Sequence, residues 1–183
     1  MDDFAGCARI AVAGRADAPD CRHDRARSPP VALGDAAIRL ADSSDAAALA
    51  ALRWAWSATP EDRDPDRLAR DFVAFMSSTA DSHRCVVAER DGALVAMAWV
   101  AFTARPPIIG TTGRRSADLQ SVFVRPEHRG AGLGVRLVQA AIELARAEGA
   151  EHLTVHATPD AAAFYERFGF EPGPTIAQLD LQG

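Results

Sequence analysis

Lysine is absent from this sequence. All 20 basic residues are arginine, and with 25 acidic residues they leave a formal net charge of −5. The arginines are scattered along the chain, whereas a nucleic-acid-binding surface needs clustered positive charge. We therefore expect no nucleic-acid partner.

Cysteine is scarce as well. The chain has three cysteines, Cys7, Cys21 and Cys85, and their spacing matches no common metal site. An odd number of cysteines also cannot pair completely into disulfides. We expect no bound metal and a reducing, cytoplasmic environment.

Long hydrophobic runs are missing too. The longest, residues 93–103, falls short of the roughly 20 residues that cross a bilayer. The first residues, Met-Asp-Asp, lack the basic region with which a signal peptide begins. We expect neither secretion nor a membrane partner.

What the chain does contain is enough apolar material for one domain. Of its 183 residues, 48% are hydrophobic and 25% are charged, as in ordinary globular domains. Residues 1–34 mix Ala, Gly, Asp, Arg and Pro without a sustained apolar period, which predicts a loosely ordered N-terminal extension. The domain itself is predicted to occupy residues 35–183.

From residue 36 onward the sequence alternates between strand and helix patterns. Asp91-Gly92 between two apolar runs is typical of a β-hairpin, so these runs are predicted to be antiparallel neighbours. Together the patterns predict an α/β (α+β) fold with a mixed sheet. The predicted strands cover 37–41, 85–89, 93–102, 119–124, 153–157 and 175–181, and the predicted helices cover 49–56, 68–76, 133–148 and 160–168.

The segment with the most chemical information is residues 122–134, a strand that runs through a turn into a helix. Glycine stands at alternate positions there, 130, 132 and 134. Without a Cβ, such residues let main-chain N–H groups approach an anion, and the following helix N-terminus is electropositive. A dinucleotide fingerprint would need glycine in place of Val135, and a P-loop would need Gly-Lys-Ser/Thr, so both are excluded.

Arg129, Gly132 and Gly134 match the Q/R-x-x-G-x-G/A signature of the GNAT superfamily of N-acetyltransferases. Residues 158–170, which contain Ala161, Phe164-Tyr165 and Gly169-Phe170, resemble the second signature of that family. The resemblance extends over about residues 36–180 and implies a mixed, mostly antiparallel sheet of about six or seven strands flanked by about four helices. In such folds the sheet parts between the fourth and fifth strands to admit the cofactor.

The resemblance also implies acetyl-CoA as cosubstrate and identifies its contacts. The strand preceding the turn would pair with the pantetheine arm, and the main-chain amides of the turn would hold the pyrophosphate. Thr158 stands where family members often carry Asn, so that contact departs from the pattern. The implied cofactor-binding residues are Val122, Phe123, Val124, Arg129, Gly130, Ala131, Gly132, Leu133, Gly134, Val135 and Thr158.

The implied reaction is direct attack of a primary amine on the acetyl thioester in a ternary complex. Members of the family use the tyrosine at the position of Tyr165 as general acid, although an aromatic residue on an apolar helix face also serves simply as core. For the general base we consider Asp118, which period two places on the same side of its strand as Val122. His156 is a rival, and ordered water would also suffice.

The acceptor cannot be identified from the sequence. Trp56 fits the apolar stripe of its helix, whereas Trp54 falls off that stripe and is our candidate for the wall of an acceptor pocket. The alternative to an enzyme is a non-catalytic acyl-CoA-binding regulatory module that lacks a working base. The oligomeric state is left open, a homodimer included.

Overall fold

The computed structural model describes residues 36–57, 59 and 64–171. The predicted extension at 1–34 and the predicted strand at 175–181 therefore lie outside the described residues. Within them, a five-stranded sheet has the order β1-β2-β3-β4-β5, antiparallel except for the parallel pair β4 and β5. The strands are β1 (Ala37–Leu40), β2 (His83–Arg90), β3 (Ala93–Ala104), β4 (Arg115–Val124) and β5 (Ala150–Val155).

In the described part of the chain, four helices cover the two faces of the sheet: α1 (Ala46–Ser57), α2 (Pro65–Ser78), α3 (Leu133–Ala147) and α4 (Pro159–Glu166). Aspartates cap the 3₁₀ turn before α1 and the start of α2. The Oδ1 atom of Asp42 accepts the Ser44 N–H at 2.8 Å at the start of a short 3₁₀ turn, and Oδ1 of Asp64 accepts the Arg67 N–H at 2.7 Å. No helix of the described residues has both the length and the apolar character needed to cross a membrane.

The hairpin that joins β2 to β3 confirms the sequence prediction. Asp91 and Gly92 have φ angles of 52° and 76°, the left-handed values of a two-residue turn whose twist matches the strands beside it. Cys85 and Val87 of β2 pair with Trp99 and Met97 of β3.

The sheet separates two cores. On one face α3 and α4 pack on β3 and β4, with Leu137, Val138 and Ala141 fully buried. On the other face α1 packs on the same strands through Leu49 and Leu52, which are also fully buried, and α2 adds the partly buried Phe72 and Met76. We refer to these as the α3/α4 face and the α1/α2 face.

The parting of the sheet follows from the lengths of β4 and β5. They pair from Arg115 and Ala150 as far as Leu119 and Val155, where β5 ends. Residues 120–124 of β4 extend further and meet no strand of the described chain on that side. The expected gap between the fourth and fifth strands is therefore confirmed.

Candidate active site

The open edge of β4 is the first feature of the site. The N–H of Arg125 donates to the carbonyl oxygen of Val95 on β3 at 3.0 Å. Successive residues of a strand direct their N–H and C=O groups to opposite edges, so Val122 and Val124 direct theirs away from β3. On that side β5 has already ended. Both residues, which were predicted to contact the cofactor, thus lie on an edge where an extended molecule can add as a strand.

A tight turn over residues 125–132 joins this edge to α3. Gly130 and Gly132 have φ angles of 77° and 73°, which glycine alone adopts without strain. The Nε atom of Arg129 donates to the carbonyl oxygen of Val124 at 3.1 Å and so ties the turn to the end of β4. Arg129 was predicted to contact the cofactor through its main chain. Its side chain has a structural role as well, because it holds the turn against the end of β4.

The turn also presents the first amides of α3. The leading N–H groups of α3 have no acceptor within the helix. Gly132, the N-cap residue, has no side chain that could accept a hydrogen bond from them. The helix dipole adds about half a positive charge at this end. Gly130 and Gly132 are exposed, and Ala131, Gly134 and Val135 are half-buried. Leu133 is buried, so the accessible main chain of this turn lies at residues 130–132, and it is suited to an anion.

Gly134 has a different role from the two glycines before it. Its backbone is helical, and a Cβ built there would lie 3.6 Å from Cζ of Phe164 and 3.9 Å from Cγ2 of Val124. Both distances are ordinary contact distances, so this position has room for a methyl group where α3, α4 and β4 meet. Through this contact the two sequence motifs meet.

The second motif forms α4 as predicted. Thr158 is its N-cap residue, with the carbonyl oxygen accepting the Ala161 N–H at 2.9 Å, while the Thr158 side chain makes no capping hydrogen bond. Ala161 and Tyr165 are buried on the α3/α4 face, with Phe164 and Phe168 packed beside them.

Tyr165 lies in an aromatic environment that keeps its phenol neutral. The residue is 3% exposed, and its ring lies 5.1 Å from that of Phe164 and 5.6 Å from that of Phe170. Its hydroxyl makes no hydrogen bond to any residue that the structure describes. Burial raises the pKa of Tyr165 to about 12, because desolvation penalises the phenolate.

A β-bulge in β4 decides which face Asp118 occupies. The pairing with β3 shifts by one residue and leaves Gln120 as an extra residue. Ala117, Leu119 and Val122 all belong to the α3/α4 face, so Asp118 points to the opposite face. Our period-two prediction, which placed Asp118 on the same side as Val122, is wrong because the bulge breaks the alternation.

A pocket of about 280 Å³ opens on the α1/α2 face beside this bulge. We call it the aromatic pocket. Its walls are largely apolar, and four polar side chains reach it. The lining residues are Arg53, Leu68, Asp71, Phe72, Phe75, Met97, Trp99, Gln120 and Ser121. Because Gln120 and Ser121 directly precede Val122, the pocket borders the open edge of β4.

Comparison with known proteins identifies the fold. The model of the Acetyltransferase (GNAT) family matches residues 48–170, about two thirds of the chain. This chain belongs to the GNAT acetyltransferase family. The resemblance inferred from residues 129–134 and 158–170 is thereby confirmed.

Two of three similar proteins are named as acetyltransferases of small molecules. A glucosamine 6-phosphate N-acetyltransferase of Trypanosoma brucei brucei is 33% identical over 69 residues, 38% of this chain and 47% of that protein. An L-methionine sulfoximine/L-methionine sulfone acetyltransferase of Pseudomonas aeruginosa is 42% identical over 71 residues, 37% of this chain and 41% of that protein. An uncharacterized N-acetyltransferase of Bacillus subtilis is 33% identical over 143 residues, 73% of this chain and 89% of that protein. The chain thus spans less than half the length of the first two of these relatives.

Solved GNAT structures share the architecture. A crystal structure of a Trypanosoma brucei acetyltransferase superposes with a TM-score of 0.63 at 26% identity, over 80% of this chain and all of that one. A predicted acetyltransferase of Clostridium acetobutylicum, solved with acetyl-CoA, gives a TM-score of 0.64 at 20% identity, over 80% of this chain and 97% of that one. GNAT acetyltransferases use acetyl-CoA, the cosubstrate that the family resemblance implied.

The two tryptophans of α1 lie differently with respect to the aromatic pocket. Trp54, the predicted pocket wall, is half-buried and does not line the aromatic pocket, whereas its neighbour Arg53 does. Trp56 packs on the α1/α2 face as predicted. Arg53 lies four residues after Leu49, and a cation at that place on an apolar helix stripe was a usable signal.

The other candidate for the general base is a histidine. His156, the rival base, is exposed just beyond β5. Within the described ranges, no three or more His, Cys, Asp or Glu side chains are grouped so that they could hold a metal ion.

Proposed function

We propose that this protein transfers the acetyl group of acetyl-CoA to a primary amine of a small-molecule acceptor, by direct attack in a ternary complex. The observation that carries the proposal is the open edge of β4 between the glycine turn and the aromatic pocket. Cofactor and acceptor can then occupy the two sides of the same short segment, residues 120–124. That arrangement suits direct transfer because both reactants meet without a covalent enzyme intermediate.

The residues of the turn fit the cosubstrate in shape and charge. The main chain of Val122 and Val124 would pair with the amides of the pantetheine arm, with the side chain of Phe123 buried on the α1/α2 face. The amides of 129–135 would hold the pyrophosphate, and Thr158 at the start of α4 would be a further contact with the cofactor. Acetyl-CoA supplies the acetyl thioester, and the strand holds its carbonyl next to the acceptor.

Tyr165 is proposed to assist the departing thiolate. A thiol has an ordinary pKa of about 8.5, well below the value of about 12 to which burial raises the pKa of Tyr165. The phenol therefore keeps its proton throughout the neutral range and stabilises the thiolate by donating a hydrogen bond. Complete transfer of the phenol proton would be unfavourable by more than three pKa units, roughly 4–5 kcal/mol.

Asp118 is proposed as the base that accepts the proton of the amine, directly or through water. Its Oδ1 atom accepts a hydrogen bond from the Thr154 hydroxyl at 3.1 Å, which orients the carboxylate. The bulge at Gln120 turns Asp118 to the α1/α2 face, the face on which the aromatic pocket opens. It can thus serve the acceptor side and not the cofactor side.

The names of the relatives support a small acceptor. The related enzymes named for glucosamine 6-phosphate and for L-methionine sulfoximine act on small amines, and the aromatic pocket has a volume of about 280 Å³, suited to a molecule of that size.

The decisive experiment measures thiol release from acetyl-CoA with a panel of primary amines, beside calorimetry of coenzyme A binding. We expect at least one amine to accelerate release above the buffer rate, and we expect Gly132→Asp to abolish binding, since it places a negative charge at the pyrophosphate site. A hydrogen bond to a charged acceptor contributes about 1.5–3 kcal/mol, so Tyr165→Phe should lower kcat by roughly 10- to 150-fold. Its affinity for the cofactor should stay unchanged.

Two results would contradict the proposal. Coenzyme A binding that is undetectable at millimolar concentration, or unaffected by Gly132→Asp, removes its basis. Tight binding without turnover across a broad panel would instead favour the acyl-CoA-binding regulatory module.

A further inference from the structure

Arg53 is held in an unusual position at the aromatic pocket. Its Cζ atom lies 4.6 Å from the centre of the Trp56 ring. Trp56 in turn stacks on Phe123 of β4, with 5.5 Å between ring centres and 15° between ring planes. The guanidinium thus lies over the Trp56 ring, which itself stacks on Phe123, the residue directly after Val122.

Apart from its contact with the Trp56 ring, the guanidinium of Arg53 makes no hydrogen bond or ion pair with any residue that the structure describes. Among the arginines that the structure describes, only Arg53 and Arg167 make neither a side-chain hydrogen bond nor an ion pair, and Arg167 is exposed. Arg53 by contrast is half-buried, and burial lowers its pKa. A partly buried cation without an anionic partner is costly, so its N–H groups are available to an anion that enters the pocket.

The other lining residues restrict what that anion can belong to. Phe72 and Phe75 pack edge-on against Trp99, with ring centres 6.3 Å and 5.3 Å away. Met97 and Leu68 complete an apolar wall. Such a wall favours an apolar or aromatic body and offers few hydrogen bonds to a sugar.

The carboxylate of Asp71 does not neutralise Arg53. Asp71 lines the pocket, but its ion pair is with Arg67 on the same helix, at 3.8 Å. A polyamine would bring further positive charge next to an uncompensated guanidinium, which is unfavourable.

We propose that the acceptor is an amino acid with an apolar or aromatic side chain, whose carboxylate binds Arg53 in a bidentate manner. This inference rests on the proposed acetyl transfer and specifies its acceptor. The side chain fills the aromatic pocket, and the α-amine, one carbon from the carboxylate, faces Gln120 and Ser121 at the open edge of β4. With its Cζ atom held over the Trp56 ring, the planar guanidinium can present its in-plane N–H groups to a carboxylate, the geometry such pairs adopt.

The test compares amines that differ only in the carboxylate. Thiol release is measured with L-phenylalanine and phenethylamine, with glucosamine 6-phosphate and spermidine as further arms. We expect kcat/KM for L-phenylalanine to exceed that for phenethylamine by roughly 10- to 100-fold, the range for a charge-assisted pair. Arg53→Gln should remove this advantage through KM and leave phenethylamine almost unaffected.

Arg70→Gln is the matched control. Arg70 is exposed on α2, lies 3.9 Å from Asp64, and does not line the pocket. The control should behave as the parent protein with every amine, and thermal unfolding should show that both variants are folded.

Failure of this inference is distinguishable from failure of the proposed function. If phenethylamine, spermidine or glucosamine 6-phosphate is used as well as L-phenylalanine, or if Arg53→Gln weakens all amines equally, acetyl transfer stands and the amino-acid inference falls. If no amine releases thiol, calorimetry of L-phenylalanine with the coenzyme A-saturated protein decides. Binding that Arg53→Gln abolishes supports the carboxylate site, and no binding at millimolar concentration overturns it.

Discussion

The chain contains one tyrosine, so the near-ultraviolet absorbance of tyrosinate reports on Tyr165 alone. Burial among Phe164 and Phe170 raises the pKa of Tyr165 to about 12. The same residue in the unfolded chain should ionise near its ordinary value of about 10. We therefore expect the tyrosinate signal to appear about two pH units higher in the folded protein than in guanidinium chloride.

The shift has a consequence for stability with a definite sign. The folded state holds its phenol proton more tightly than the unfolded state, so the stabilisation is fully present below pH 10. It is lost as the pH rises from about 10 towards 12, and two pKa units correspond to about 3 kcal/mol. Burial also raises the pKa of the Cys85 thiol, which adds a loss of the same sign. The difference between the parent protein and Tyr165→Phe isolates the tyrosine.

The absence of lysine makes this alkaline range simple to interpret. Lysine ammonium groups ordinarily ionise near pH 10.4 and would obscure a tyrosine, but this chain has none. The measurement is denaturant unfolding at pH 8 and at several values up to about 11, with tryptophan fluorescence as the signal. Tyrosinate appearing at the same pH in folded and unfolded protein would refute the burial of Tyr165, and with it the argument that its phenol acts as a neutral donor.

Two further predictions concern the turn and the first helix. Gly132→Ala should lower the free energy of unfolding by about 1–2 kcal/mol because alanine is strained at φ 73°. Gly134→Ala should be neutral or stabilising by up to about 1 kcal/mol, since its Cβ meets Phe164 at ordinary contact distance. Thermal unfolding measures both variants, and equal losses of stability would contradict separate roles for the two glycines. Asp45, whose pKa is lowered by hydrogen bonds from the Arg39 guanidinium at 2.7 Å and 2.8 Å, stabilises the fold above pH 4 and ceases to do so as the pH falls. Asp45→Asn should therefore cost about 1–3 kcal/mol at pH 7 and much less at pH 3 in urea titrations, and an equal cost at both would show that the charge of Asp45 is unimportant.

Short-range features of this fold were predictable because neighbouring residues encode them. Asp91-Gly92 dictates a two-residue turn whatever surrounds it, and Pro159 after Thr158 fixes the start of α4. The glycine turn is of the same kind, since left-handed φ angles at Gly130 and Gly132 are a local demand.

Strand ends were predicted less well because pairing is not local. The sequence pattern placed the start of β4 at Leu119, but the strand begins at Arg115, where it pairs with Ala104 on one side and Ala150 on the other. Polar residues at a strand end show no alternation of apolar and polar side chains that would identify them as strand. Where the strand begins is decided by the residues with which it pairs.

The sequence by itself determined the family, the glycine turn before α3 and the helix that carries Tyr165, because each depends on a few adjacent residues whose backbone needs are fixed. Only the tertiary structure decided the face of Asp118 and the composition of the aromatic pocket. The bulge at Gln120 arises from the pairing of two strands, and Arg53 and Trp99 line the same pocket only because α1 and β3 pack on the same face. Such contacts join residues far apart in the chain, so no local pattern records them.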